Sequence, residues 1–388
     1  MSPLPDLEPE LVALADTDRL RNLVLLDGPS RTHPRRQEQA TLSFCSNDYL
    51  GLADHPDLLA AAAAAGERHG FGAAASRLLS GHFPPHRDLE QGLAALVRLP
   101  AALLYPTGYQ ANIGAITSLA GPEDLIVSDQ ANHASLIDGC RLSRATIRVY
   151  AHLDPDAAAA ALRTPGSFRR RFLITESLFS MDGDTAPLPD LQRLTQESGA
   201  TLVVDEAHAL GVLGPDGRGV CQQSGVVPDV LIGTLGKAFG SLGGFVAGAE
   251  ILRNHLVNRS RTFIYTTATP PPIAAAALAA IRLSLSPEGA RRRAALTRNV
   301  RALHAALARL PLPHPLPVVG GPILPIVVGS DQAALALARR LDQRGLFVPA
   351  IRPPTVAEGT ARLRITLSAA HTETDIAALA ETLEAALP

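Results

Sequence analysis

Lys237, in "TLGKAFG" (234–240), is the single lysine among the 35 Lys and Arg residues of this 388-residue chain. On a solvated face lysine and arginine are nearly equivalent, so a chain that writes arginine everywhere else keeps an amine where arginine fails. Arginine is never deprotonated in a protein, whereas lysine loses its proton and forms Schiff bases. The surviving lysine marks a position for amine chemistry.

The other candidates each follow an apolar run. Asp205 ends "TLVVD" and His208 comes three residues later; the bland alternative is a helix N-cap with an incidental histidine. His133 lies in "SDQANHAS", just past another run. Gly108 and Tyr109, in "YPTGYQAN", sit at a strand-to-helix turn, where backbone N–H groups can hold a phosphate. A Schiff-base amine, a carboxylate for a pyridinium nitrogen, a ring to stack and phosphate donors are the parts that pyridoxal 5'-phosphate requires. The carboxylate keeps the ring nitrogen protonated, which makes the ring an electron sink.

Competing readings of these segments fail on spacing. "DEAH" as a helicase box needs an upstream GxxxxGK[ST] loop. The GK here lies downstream, is followed by Ala238, and has Leu231 where the first glycine belongs. Asp182 and Asp184 in "SLFSMDGD" lack the spacing of a calcium loop and read as a turn. No metal site is expected. Arg169–Arg171 and Arg291–Arg293 read as solvated faces, and a net charge of −2 argues against nucleic acid as a partner.

Cys45, Cys140 and Cys221 have no CxxC spacing and read as free thiols of a reducing compartment. The N-terminus lacks a basic flank and apolar core. The alanine-rich run 273–281 is too short to span a bilayer. These features predict a cytoplasmic protein without a membrane partner.

The elements that must position the candidates follow from apolar patterning. "ALLYPTG", "DLIVSD", "RFLITES", "TLVVDEAH" and "DVLIGTLGK" read as buried strands, separated by Ala- and Leu-rich stretches of helical length. That alternation predicts an α/β fold, with a mostly parallel sheet flanked by helices and a ligand site beyond the carboxyl ends of its strands. Helical spacing over 7–26 predicts an N-terminal helix or arm (1–45), before a large cofactor-binding domain (46–285). A smaller α+β domain (286–388) follows, with strands in "GPILPIVVG", "LFVPAIRPPTV" and "ARLRITLSA" and a final helix over about 373–386. In "RLRIT", Arg362 and Arg364 share a face at strand spacing and suit carboxylate recognition; two solvated arginines on an edge strand is the alternative.

From about residue 20 to 385 the chain resembles the α-oxoamine synthases, pyridoxal phosphate enzymes of the aminotransferase-type fold. The motifs, in order, are "FCSNDYLGL", "ASRLLSGH", "GYQAN", "SDQANHAS", "TESLFSMDGD", "VVDEAHALGVLGPDGRG", "TLGKAFG" and "RPPTV…GTARLR". The resemblance is closest to the branch that condenses L-alanine with a pimeloyl thioester of coenzyme A or a carrier protein. It implies that Lys237 forms the Schiff base, Asp205 pairs with the pyridinium nitrogen, His208 with the phenolic oxygen, and His133 stacks on the ring. Gly108, Tyr109, Ser180 and Thr234 would hold the cofactor, largely near its phosphate. Thr266 or Thr267 would reach the phosphate of the neighbouring subunit of a homodimer. Asn47 and Arg364 would bind the amino-acid carboxylate, with Arg364 selected over Arg362 by the resemblance alone. Arg21 and Thr355 would contact the acyl substrate.

Glycine-using members, which make 2-amino-3-ketobutyrate or 5-aminolevulinate, are the alternative within the family. A non-catalytic partner or regulatory protein on the same fold is the alternative outside it, and loss of the Schiff-base lysine would mark such a protein. Two departures stand out: "GAAASR" (72–77) is poorer in glycine than the family's loop, and Ala357 stands where a proline commonly follows "PTV".

Overall fold

The computed structural model describes residues 7–312, 314–316 and 320–387. Residues 1–6, part of the stretch read for a targeting signal, lie outside the described residues. The chain divides into two compact units, one of Asn47–Ser180 and Asp184–Ala295, the other of Met1–Ser46, Met181–Gly183 and Leu296–Pro388.

The first unit is built on a seven-stranded sheet. Its strands are β4 (Ala101–Tyr105), β5 (Leu125–Asp129), β6 (Thr146–Tyr150), β7 (Arg171–Glu176), β8 (Thr201–Asp205), β9 (Val230–Thr234) and β10 (Gly244–Gly248), in the spatial order β4-β10-β9-β8-β7-β5-β6. From β9 to β6 all pairings are parallel, and β10 runs antiparallel to both β9 and β4. Alternate residues of one strand feed two separate cores. Ile126, Phe172, Ile174 and Val203 pack in one, and Leu125, Val127, Leu173, Leu202 and Val204 in the other. A sheet buried on both faces needs apolar residues at every position, which is why these strands read as continuous runs. The α/β class and the mostly parallel sheet are as the sequence predicts.

Helices α2 (Pro56–His69), α3 (Pro84–Val97), α4 (Gly108–Leu119) and α5 (Ala134–Ser143) belong to this unit, as does the helix Pro271–Ser284 after the proline run. Two of them begin at the site. Thr107 caps α4 by accepting from Gln110 N–H, and His133 caps α5 by accepting from Ser135 N–H through its ring nitrogen.

In the second unit, β11 (Ile323–Gly329), β13 (Ala350–Ile351) and β14 (Ala361–Thr366) form an antiparallel sheet with β14 in the centre. The short strand β12 (Leu346–Phe347) pairs in parallel with β3 (Leu42–Ser43), while β1 (Arg35–Arg36) and β2 (Gln39–Ala40) form a two-stranded ribbon. One expectation is corrected and one alternative is set aside. The N-terminal helix α1 covers Leu7–Asp16, not 7–26, because Asp18 turns into the left-handed region (φ 56°) and Arg19 N–H closes back on Leu14. The β14 arginines are not solvated on an edge strand. Both Arg362 and Arg364 are buried, and β14 is paired on both sides. Among the described residues no helix is long and apolar enough to cross a membrane.

Candidate active site

Four strands of the large sheet end in polar residues: β5 in Asp129, β7 in Glu176, β8 in Asp205 and β9 in Thr234. Register places Glu176 opposite Asp205 and Asp205 opposite Ile232, so the last three ends lie side by side. Above them is a cavity of about 160 Å³, which brings together Lys237, His208, Asp205, His133, Thr234 and the Gly108–Tyr109 turn.

Lys237 follows β9 in a tight turn. Leu235 N–H bonds Gly243 O, Gly240 N–H bonds Lys237 O, and Gly240 has a positive φ of 58°. A side chain at Gly240 would meet Ala53 N at 2.4 Å, so only glycine lets the turn close. The lysine Nζ lies 2.6 Å from His208 Nε2, and His208 Nδ1 lies 2.5 Å from the Tyr49 hydroxyl.

Asp205 is buried and fixed at both oxygens. Asn112 Nδ2 donates to Oδ2 at 2.8 Å and Ala207 N–H to Oδ1 at 2.8 Å. Asn112 Nδ2 also donates to Ser135 Oγ (2.8 Å), which in turn lies 2.8 Å from His133 Nδ1. One amide thus couples the carboxylate to the histidine ring. Burial holds the His133 imidazole below its ordinary pKa despite the nearby Asp205 charge, which keeps the ring neutral.

Glu176, absent from the sequence-derived candidates, lines the same cavity. It is fully enclosed, and burial followed by repulsion from Asp205 pushes its carboxyl up to about 8. Its Oε1 accepts the His133 backbone N–H at 2.6 Å, and the Ser180 N–H bonds the same carboxylate. Asn112, Ser135, Glu176 and Tyr49 all lie inside motifs the sequence presents. Their roles need strand register and the packing of residues far apart in the chain.

One end of the cavity is built from backbone. The first N–H groups of a helix have no partner within it, and those of Gly108 and Tyr109 open α4. A Cβ at Gly108 would stand 3.4 Å from Thr234 Cβ, and one at Gly244 would meet Gly108 N at 2.5 Å. Three chain segments therefore converge where a phosphate can approach N–H groups closely. Asn112 Oδ1 is buried without a partner among the described residues. An amine, a fixed carboxylate, a neutral ring and a helix N-terminus around one cavity fit pyridoxal phosphate.

The remaining candidates lie apart from the cavity wall. Ser180 is buried, and its backbone N–H bonds the Glu176 carboxylate. Asn47 Oδ1 lies 3.2 Å from the Tyr49 hydroxyl oxygen, in the same unit. Thr266 accepts from Gln110 at 3.4 Å, and Thr267 is exposed. Arg21, Thr355 and Arg364 belong to the other unit. There Arg21 Nη2 bonds Pro353 O at 3.2 Å, beside Thr355, and Arg364 Nη1 bonds Thr366 Oγ1 at 3.0 Å. Arg362 is closed by Asp182 at 2.5 Å.

Residues 40–383 match the family model for class I and II aminotransferases. The chain is 48% identical over 355 residues to an 8-amino-7-oxononanoate synthase of Marinobacter nauticus, covering 91% of this chain and 89% of that one. Among solved structures it superposes on a serine palmitoyltransferase variant from S. paucimobilis with a bound pyridoxal phosphate–myriocin aldimine. The TM-score is 0.91, with 30% identity and coverage of 99% of this chain and 97% of that one. An 8-amino-7-oxononanoate synthase from Francisella tularensis gives a TM-score of 0.77, with 28% identity and coverage of 89% and 97%. The chain belongs to the α-oxoamine synthases within the class I and II aminotransferase family.

Proposed function

We propose that this protein condenses L-alanine with a pimeloyl thioester to form 8-amino-7-oxononanoate, releasing CO₂ and the free thiol carrier, with pyridoxal 5'-phosphate as cofactor. The observation that carries the reading is the 48% identity to an 8-amino-7-oxononanoate synthase over nine-tenths of the chain. When bound, pyridoxal phosphate supplies an electron sink for charge developing at the amino acid's α-carbon. Lys237 holds the cofactor and later carries the α-proton, two tasks that both need a neutral amine. Asp205, held by Asn112 and Ala207, would pair with the pyridinium nitrogen. His208 would donate to the phenolic oxygen, and the neutral ring of His133 would stack on the pyridine.

Gly108, Tyr109, Ser180 and Thr234 hold the cofactor around its phosphate. Asn47 and Arg364 bind the alanine carboxylate, and Arg21 and Thr355 contact the acyl chain. The protein acts in the cytoplasm as a homodimer, with Thr266 or Thr267 reaching the neighbouring subunit's phosphate. Exposed Phe71, Leu79 and Tyr265 support such an interface. The acyl carrier is coenzyme A or a carrier protein.

Serine with a long-chain thioester is the second reading, favoured by the TM-score of 0.91 to a serine palmitoyltransferase against 0.77 to an oxononanoate synthase. Identity weighs the other way, at 30% against 48%. Backbone similarity reports a fold that the family shares, and site side chains select the substrate. The deciding assay compares kcat/KM for thiol release across alanine, glycine and serine, each with pimeloyl, acetyl, succinyl and palmitoyl thioesters. One methyl is worth about 1–3 kcal/mol, so alanine with the pimeloyl thioester should lead by at least about tenfold. A lead for glycine or serine with another thioester overturns the substrate assignment and leaves the fold untouched.

A further inference from the structure

We propose that Tyr49 is a positioning residue that fixes His208 as the Nε2–H tautomer, keeping this N–H turned into the cavity. The proposal rests on the reading that His208 faces the cofactor's phenolic oxygen.

Tyr49 is fully buried, and its own segment is rigidly set. The buried Asp48 carboxylate accepts from Leu52 N–H at 2.8 Å and Ala53 N–H at 3.1 Å, closing the turn that carries it. The phenol oxygen stands 2.5 Å from His208 Nδ1 and 3.2 Å from Asn47 Oδ1. A buried tyrosine hydroxyl requires a partner, and it has one proton to give. The imidazole nitrogen is both nearer and more basic than the amide oxygen, so the proton points at Nδ1. The bond made by one ring nitrogen decides which tautomer the other presents. With Nδ1 accepting, the ring proton resides on Nε2, the atom 2.6 Å from Lys237 Nζ. The reverse arrangement would turn a bare Nε2 lone pair toward an ionised oxygen and repel it. The two rings are 6.0 Å apart and tilted by 48°, so the hydroxyl, not stacking, is the connection. Tyr49 does not line the cavity, which leaves it acting through His208.

The test is the absorbance of the holoenzyme against pH for the wild type, Tyr49→Phe and His208→Asn. The visible and near-ultraviolet bands of bound pyridoxal phosphate report whether its phenolic oxygen is ionised. Tyr49→Phe should cut the visible share, changing the band ratio by roughly 3- to 10-fold, the worth of one net hydrogen bond. It should lower kcat by a similar factor and leave the KM for alanine nearly unchanged. His208→Asn should do more.

A shift in His208→Asn with none in Tyr49→Phe overturns the proposal and spares the reading of His208. No shift in either variant overturns both. A gain in the visible share for Tyr49→Phe would show the opposite tautomer and also overturns it. If Tyr49→Phe fails to fold, 3-fluorotyrosine at position 49 keeps the ring's shape and strengthens its donor. It should then raise the visible share, and an unchanged ratio overturns the proposal.

Discussion

Two clusters in the large unit join carboxylates to a basic side chain, and they close in opposite ways. In the first, His152 sits between Asp129 (2.8 Å) and Asp184 (3.1 Å), with its ring edge-on to Phe179. Burial opposes its charge, but the bonds to Asp129 and Asp184 outweigh that and raise the imidazole to about 10. One cation is held by two anions, although Asp184 Oδ1 is buried without a hydrogen-bond partner among the described residues. In the cavity, two carboxylates stand side by side at the ends of β7 and β8, and Lys237 faces an imidazole. Glu176 responds by holding its proton, raised by burial and by Asp205, which leaves the Asp205 charge aimed inward. The clamp's cation finds both of its carboxylates within the chain. The cavity has room for a ligand, and strongly shifted titratable groups lining such a cavity mark a candidate site.

The largest effect is expected in the cavity, at Lys237. Lys237→Ala removes both the cofactor's amine partner and the proton carrier, so turnover should fall by several orders of magnitude. Borohydride reduction of the wild type should attach one pyridoxyl group per chain, found at Lys237 by peptide mapping. No second lysine exists to take its place. A label at the N-terminal amine, with Lys237 unmodified, would remove the basis for its role.

A second comparison lies on β14, where two buried arginines have different partners. Arg362 is closed by the Asp182 carboxylate and the carbonyls of Met181 and Thr360, whereas Arg364 donates to the Thr366 hydroxyl. Arg364→Ala should weaken alanine binding about 30- to several-thousand-fold, since removing one partner of a buried charge pair costs roughly 2–5 kcal/mol. The cofactor spectrum should stay intact. Arg362→Ala should instead lower the unfolding midpoint, by roughly 1–3 kcal/mol for a buried group left unsatisfied, with little change in KM. The resemblance selects Arg364 over Arg362 for the carboxylate, and the Asp182 pair adds an expected loss of stability at Arg362. Equal, small changes in KM for both variants would show the carboxylate site to lie elsewhere.

How far the sequence carries differs by the range of the interaction that decides each feature. Lys237, Asp205, His208, His133 and Gly108 are legible because each follows an apolar strand, and strand ends in a parallel sheet converge. Glu176 stands in the same position after "RFLIT", yet its importance comes from pairing with Asp205 across two strands. No local pattern encodes that pairing. Asn112 is legible as one helical residue of "GYQAN", but its bonds to Asp205 and Ser135 join three separate segments. On β14, period-two spacing puts both arginines on one face without saying that strands lie on either side. In α1, helical spacing persists beyond Asp16 while the backbone turns at Asp18, where a short polar side chain tolerates a positive φ. Long-range register and turn geometry are therefore where reading from pattern stops.

The smallest expected effect is on the closed cluster, and it is one of stability and pH rather than turnover. His152→Gln leaves Asp129 and Asp184 without their shared cation. Hydrogen bonds to charged groups contribute about 1.5–3 kcal/mol, so the variant should be less stable by about that amount near pH 6. The folded state holds the His152 proton up to about 10, against about 6.5 in an unfolded chain. A raised pKa means that the folded state binds the proton more tightly, so the contribution is complete below about pH 6.5 and is lost as pH rises toward 10. The wild-type advantage in a denaturant titration should therefore shrink between pH 6.5 and 10. Glu176 also titrates near 8, but it is present in both proteins and cancels in the difference. Cofactor absorbance at pH 7 should be the same in both. A stability difference that stays constant across this range would mean that His152 acts by packing against Phe179 rather than by its charge.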